Sequence, residues 1–150
     1  MKANYLILFL IGFICMPMNA QKKINKCTEE DFRAKKQAYM TQKAGLTEEE
    51  SKTFFPLYFE LQDKKKEVNK EAWNDAKKGK NPQTSEQEYE IIIDDFFGSQ
   101  YQLLDLEKQY IEKFREVLSD QKIYQVYWAE IKFNRNMMKI LQEMNDQKKD

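Results

Sequence analysis

Residues 46–59 read LTEEESKTFFPLYF, and this stretch decides the fold. Leu46-Thr47 followed by Glu50 predicts a helix start, in which Thr47 caps the first free amides and Glu50 reaches back as the other half of a capping box. Gly45 can end a preceding helix in a left-handed turn. One turn into the new helix come Phe54, Phe55, Leu57, Tyr58 and Phe59, interrupted by Pro56. Proline removes a backbone donor and crowds the preceding turn, so a kink is expected at Pro56. The run carries more aromatic surface than one packing face needs.

Outward from this stretch the chain reads as helix throughout. No strand pattern appears, and turn signals are few. A first helix is predicted from Thr28, with Asp31 as box partner, to Ala44. Its residues Phe32, Lys36, Tyr39 and Lys43 share one face, with Arg33 and Met40 beside it, so that face is aromatic and basic together. A second helix spans Glu48 to about Lys78 and has two stripes. Phe54, Leu57, Tyr58, Leu61, Val68 and Ala72 read as core. Phe55, Phe59, Gln62, Lys66 and Trp73 form an aromatic-basic flank. Gly79 and Asn81-Pro82 close the segment.

A third helix opens at Thr84 or Ser85, with Glu88 as box partner, and runs to about Leu118. Tyr89, Ile93, Phe96, Leu103, Tyr110, Phe114 and Val117 recur at steps of three and four, the clearest packing signal in the chain. Phe97, Leu104, Ile111 and Leu118 extend it at sevens. A fourth helix starts at Ser119 and runs to about Met144. Ile123, Tyr127, Met137, Leu141 and Met144 form its stripe, and Tyr124, Trp128, Arg135 and Lys139 form another aromatic-basic flank. The expected fold is therefore all-α: four helices, three of them long, in an extended, hairpin-like layer. Thirty residues at 1.5 Å each give about 45 Å. So thin a layer leaves one face poorly covered, which points to a homodimer.

The amino terminus reads as a targeting segment. Lys2 supplies the positive start, Tyr5 to Ile14 a short apolar core, and Met18-Asn19-Ala20 a cleavage site after Ala20. That core is too short for a membrane span of about 20 residues, so no stable membrane insertion is expected after cleavage. Residues 1–20 are assigned to the signal, 21–27 to a flexible tail, 28–145 to the helical domain and 146–150 to a frayed end. Cys27 alone remains after cleavage. It has no internal disulfide partner and stays free or pairs between chains.

Several function classes are disfavoured. The chain has 25 basic and 25 acidic residues, so no bulk positive field points to nucleic acid. It has no histidine, which removes the usual general base and the commonest metal ligand. The four glycines are scattered and form no phosphate loop. Glu48-Glu49-Glu50 suits a helix amino terminus, and Asp94-Asp95 an ordinary solvated face. No catalytic residue, cofactor or metal ligand is assigned, and no enzymatic activity is expected.

Two starts match each other. Leu46-Thr47-Glu48-Glu49-Glu50 and Leu118-Ser119-Asp120-Gln121-Lys122 both place leucine and a hydroxyl residue at the head of a long helix. This resembles the twin LTxxQ motifs of the Spy/CpxP-like family of periplasmic proteins. The run AGLTEEESKTFFPLYFELQDKK looks like a sub-branch with an F-x-PLY continuation. The resemblance covers about Phe32 to Leu141. The chain departs from the pattern at Glu50 and Lys122, which stand where the motif has glutamine, and at Ser119 in place of threonine. Membership would imply a kinked all-helical fold forming a cradle-shaped dimer, with ATP-independent chaperone or envelope-stress roles. Some relatives sense metals through histidine, which this chain lacks.

The residues and the resemblance point the same way. Unfolded proteins expose apolar side chains and mixed charges, and aromatics beside flexible cations can hold both loosely without nucleotide. The expected client-binding residues are Phe32, Arg33, Lys36 and Tyr39 on the first helix and Phe55, Phe59, Lys66 and Trp73 on the second. Tyr124, Trp128, Arg135 and Lys139 complete the set on the fourth. The expected function is a periplasmic holdase for unfolded envelope proteins. The alternatives are a regulatory adaptor binding one envelope-stress sensor, and a metal-responsive sensor through carboxylates.

Overall fold

The computed structural model describes residues 28–147. The assignments of residues 1–27, including the signal, the tail and the pairing of Cys27, lie outside the described residues, as do residues 148–150. The fold is all-α. Helix α1 spans Glu29–Ala44, α2 Glu48–Lys78, α3 Glu86–Arg115 and α4 Asp120–Asp146.

Each start is fixed by a hydroxyl cap. The Asp31 N–H donates to Thr28 Oγ1, while the Thr28 N–H donates back to Asp31 Oδ2, both at 3.1 Å. The same reciprocal box closes at Thr47–Glu50 and Ser85–Glu88. At α4 the Lys122 N–H donates to Ser119 Oγ at 3.4 Å, and no box forms because lysine has no acceptor. Gly45 ends α1 at φ +61, where only a residue without Cβ avoids strain. Helix α3 stops at Arg115, three residues short of the expected Leu118. Its last carbonyls close tight turns instead, with the Val117 and Leu118 amides both donating to Phe114 O. This releases Leu118 and Ser119 to begin α4. Helix α2 continues through Pro56, which is exposed, so the amide donor that proline lacks is missing on the solvent side of the helix rather than in the core.

Helices α2 and α3 pack antiparallel, and so do α1 and α4. Phe54 meets Phe114 at 4.9 Å between ring centroids, and Phe32 meets Phe133 at 5.5 Å. Helices α2 and α4 run parallel. The Lys122 ammonium donates to Glu50 at 2.6 Å, and the Tyr58 hydroxyl donates to Glu130 at 2.6 Å, both across 72 residues. That spacing is the one that separates Leu46 from Leu118. The two hydroxyl-capped starts, of α2 and of α4, therefore lie beside each other and point the same way.

The core sits where all four helices meet, near the two starts. Met40, Phe54, Phe55, Tyr58, Leu61, Tyr110, Phe114 and Val126 are its buried centre. Beyond Lys66, where the last contact with α1 is made, α2 is packed against α3, and two helices can bury only their shared seam. The expected α3 stripe is corrected there. Tyr89, Ile93, Phe96, Phe97 and Leu104 are exposed. The seam keeps Leu103, Tyr110 and Phe114 of the expected stripe and runs otherwise through Ile92, Ser99 and Leu106. Likewise α4 outruns α1, so Ile140, Leu141 and Met144 continue the core-facing stripe into solvent.

The two departures from the LTxxQ pattern are partners of each other. Glu50 completes its own capping box and also accepts from Lys122 on the parallel start. The Lys122 ammonium first, and then the Thr47 amide, hold the Glu50 carboxyl below its ordinary value. The folded pKa is thus lower than the unfolded one. This contribution is complete above the ordinary carboxylate value of 4.5 and is lost as pH falls through the folded value. Thermal midpoints recorded against pH are expected to fall on acidification, and to fall less steeply in Glu50→Gln. Identical slopes in the two proteins would remove this pair from the acid response.

Candidate binding surface

Five of the expected client-binding residues converge on one cleft between α1 and α2. Phe32, Arg33, Lys36, Phe59 and Lys66, with Glu29, Gln62 and Asp63, line about 250 Å³. Helical spacing brings them there: Phe32 and Lys36 follow one another on α1, and Phe59 and Lys66 on α2. The Arg33 guanidinium lies 5.1 Å from the centre of the Phe59 ring. It also donates to both Asp63 oxygens and, at 3.1 Å, to Glu29. Lys66 donates to Glu29 at 3.2 Å. Lys66 and then Arg33 hold the Glu29 carboxyl below its ordinary value, and Asp63 and Glu29 raise Arg33. The cleft is thus an aromatic groove with a charged rim of both signs.

Two expected site residues are buried instead. Phe55 is 2% exposed, packed among Phe54, Tyr58 and Phe59. It sits where both hairpins meet α2, so the quarter-turn that separates flank from core elsewhere leaves it covered on both sides. Lys36 is 7% exposed. Its ammonium pairs with Glu130 at 2.7 Å and lies 5.3 Å from the centre of the Tyr58 ring. Only its stem reaches the cleft. Tyr39 is half-buried against Phe133.

The remaining candidates stand apart from the cleft. Trp73, near the far end of α2, is 59% exposed, with Lys77 and Lys80 within 6 Å of its ring. Tyr124 and Trp128 are exposed on the outer side of α4, with Lys132 5.5 Å from the Trp128 ring. Arg135 and Lys139 lie further along that helix and are exposed. The aromatic-basic mixture read from helical spacing is here direct cation–ring contact.

Sequence reading missed the polar network under the cleft. Glu130 accepts from both Lys36 and Tyr58. Glu107 accepts from Lys65 and from the Tyr127 hydroxyl, the latter at 2.8 Å. Burial first, then the neighbouring carboxylates, push both tyrosines well above their ordinary value, so they remain donors. The signal that could have found part of it was the 72-residue offset, which maps Tyr58 onto Glu130 just as it maps Glu50 onto Lys122. Among the described residues, no group of three or more His, Cys, Asp or Glu side chains is placed to hold a metal ion. Nor is any helix among them long and apolar enough to cross a membrane. Comparison with protein-family models, with curated proteins and with solved structures finds no match in any of the three.

Proposed function

We propose that this chain is an exported, periplasmic, ATP-independent holdase of Spy/CpxP-like type that keeps unfolded envelope proteins from aggregating. The observation that carries the reading is the α1–α2 cleft. There Phe32 and Phe59 are offered beside Arg33 and Lys66, whose partners Glu29 and Asp63 are themselves exposed or half-buried. An unfolded segment presenting apolar and charged side chains can insert the first and exchange with the second. Exposed ion pairs are each worth about 0–1 kcal/mol, so opening the rim costs little and release requires no nucleotide. The amino-terminal signal and the paired helix starts support the compartment and the family.

The test is light scattering by several unrelated proteins as they unfold, without ATP, at near-equimolar ratio. The intact protein is expected to suppress aggregation of most of them. Phe32→Ala combined with Trp73→Ala is expected to weaken suppression several-fold while helical content by circular dichroism stays unchanged. Aggregation that proceeds unaltered for every client overturns the reading. A single tightly held partner with no general effect would identify a regulatory adaptor instead.

A further inference from the structure

We propose that the outer face of α4 docks on an anionic lipid surface, so that this helix lies along a bilayer without crossing it. Tyr124, Trp128, Ile131, Arg135 and Met138 follow at i, i+4, i+7, i+11 and i+14, and all are exposed. At about 100° per residue they fall within about 80° of one another. The side chains that α4 buries, among them Val126, Ala129 and Phe133, point the opposite way. The stripe runs about 21 Å along a convex face that the bundle leaves bare.

The charge of this face is positive and unspent. Between Gln121 and Gln142 the basic residues are Lys122, Lys132, Arg135 and Lys139, and the one acidic residue is Glu130. Glu130 is turned inward, where it accepts from Lys36 and Tyr58, and Lys122 is held by Glu50. Lys132, Arg135 and Lys139 therefore stand on or beside the stripe with no carboxylate among them. Within the described residues these three make no ion pair, whereas Arg33, Lys36, Lys65 and Lys66 each pair with a carboxylate of the same chain. Lys132 rests 5.5 Å from the centre of the Trp128 ring. Asp120, Glu143 and Asp146 lie beyond the two ends of the stripe.

A headgroup layer satisfies this mixture of groups. Helices that lie in a bilayer surface carry large apolar side chains toward the lipid, with lysine and arginine beside them. Tyrosine and tryptophan suit the boundary between headgroups and acyl chains, because each has an apolar ring and a polar tip. Lysine and arginine reach phosphate from the same depth along their own apolar stems. Arg135 decides against a folded protein as the occupant. It stands in the middle of the stripe, and a dry protein interface would strip its water and demand one fixed carboxylate. Headgroups surround it with phosphate and water at the depth of the rings. The aromatic face of α3 makes the contrast. From Glu86 to Glu107 that helix carries seven acidic residues and no lysine or arginine, so an anionic surface repels it. Tyr124, Trp128, Arg135 and Lys139 then serve the lipid, and the α1–α2 cleft and Trp73 stay free for clients.

Vesicle binding by the chain from Gln21 onward tests this, with phosphatidylglycerol and phosphatidylcholine in equal parts against phosphatidylcholine alone. Trp73→Phe leaves Trp128 as the single tryptophan. Its emission is expected to shift to shorter wavelength on the anionic vesicles only, and the protein to float with them. Each cation near an anionic surface strengthens binding about fivefold, so Lys132→Gln with Arg135→Gln and Lys139→Gln should weaken it about a hundredfold. Added salt should weaken the unaltered chain in the same direction. Tyr124→Ser with Met138→Ser should weaken binding several-fold at unchanged charge. These positions are all exposed, so helical content by circular dichroism should stay the same. An unmoved Trp128 emission, equal binding to both vesicles, or a triple variant that binds as well as the unaltered chain overturns the proposal. So does a triple variant that, without lipid, sediments as a smaller species than the unaltered chain, because a second copy then covers this face. The inference does not rest on the holdase reading, which aggregation suppression without vesicles tests alone.

Discussion

Phe55→Ala is expected to lower the unfolding free energy by about 3–5 kcal/mol, the range for removing a fully buried aromatic ring. Against a typical total of about 5–15 kcal/mol, that is enough to leave a sizeable unfolded fraction on mild heating. The ring is almost wholly enclosed, with Phe54 at 5.2 Å and Phe59 at 5.9 Å between centroids. Little nearby can collapse into the space it would vacate. Phe59 is only half-buried and faces the cleft, so Phe59→Ala should cost roughly 1–2 kcal/mol, set by the area removed rather than by a cavity. Urea unfolding of the two variants side by side makes the comparison. Equal midpoints would return Phe55 to the flank and remove it from the core.

Glu130→Ala is the second large effect. One carboxylate oxygen receives both the Lys36 ammonium and the Tyr58 hydroxyl. Deleting it leaves a buried cation without a counter-charge and a buried hydroxyl without an acceptor. Breaking a buried pair from one side costs about 3–5 kcal/mol. The lower end applies here, because the Glu130 side chain keeps 16% of its surface in water. Replacing both partners, with Lys36→Met and Glu130→Leu, removes the desolvated charges together and is expected to recover part of the loss, the remainder being the Tyr58 hydroxyl still left without its acceptor. Equilibrium unfolding of the single and double variants decides between them. A harmless Glu130→Ala would show that water reaches Lys36 in solution.

The helices were legible in the sequence because local chemistry dictates them. Thr28, Thr47, Ser85 and Ser119 each announced a start, and Gly45 announced an end, with no need of tertiary context. Which face of each helix is buried was less legible. Helical spacing gives the width of an apolar stripe, but not how many neighbours cover it. Phe55 sits where neighbours cover two sides, whereas Ile93 and Phe97 sit where only one helix is present. The same apolar pattern therefore yields core in one place and bare surface in the other. The cleft was half legible. Phe32, Arg33, Phe59 and Lys66 were picked out by their mixture of ring and charge. That Lys36 would turn inward depended on Glu130, 94 residues away, and no local pattern encodes such a partner.

The pairing of α1 with α4 also sets an order of events for the emerging chain. Helix α1 is the first of the four to be made, yet the helix it packs against is the last. Closing a loop of that length costs only modestly more entropy than closing a short one, but contacts so far apart in sequence slow the search. Helices α2 and α3 can zip together across one short turn while α1 waits with Met40 and Phe32 uncovered. Until its final helix arrives, this chain presents the kind of unfinished apolar surface that it is proposed to shield in others.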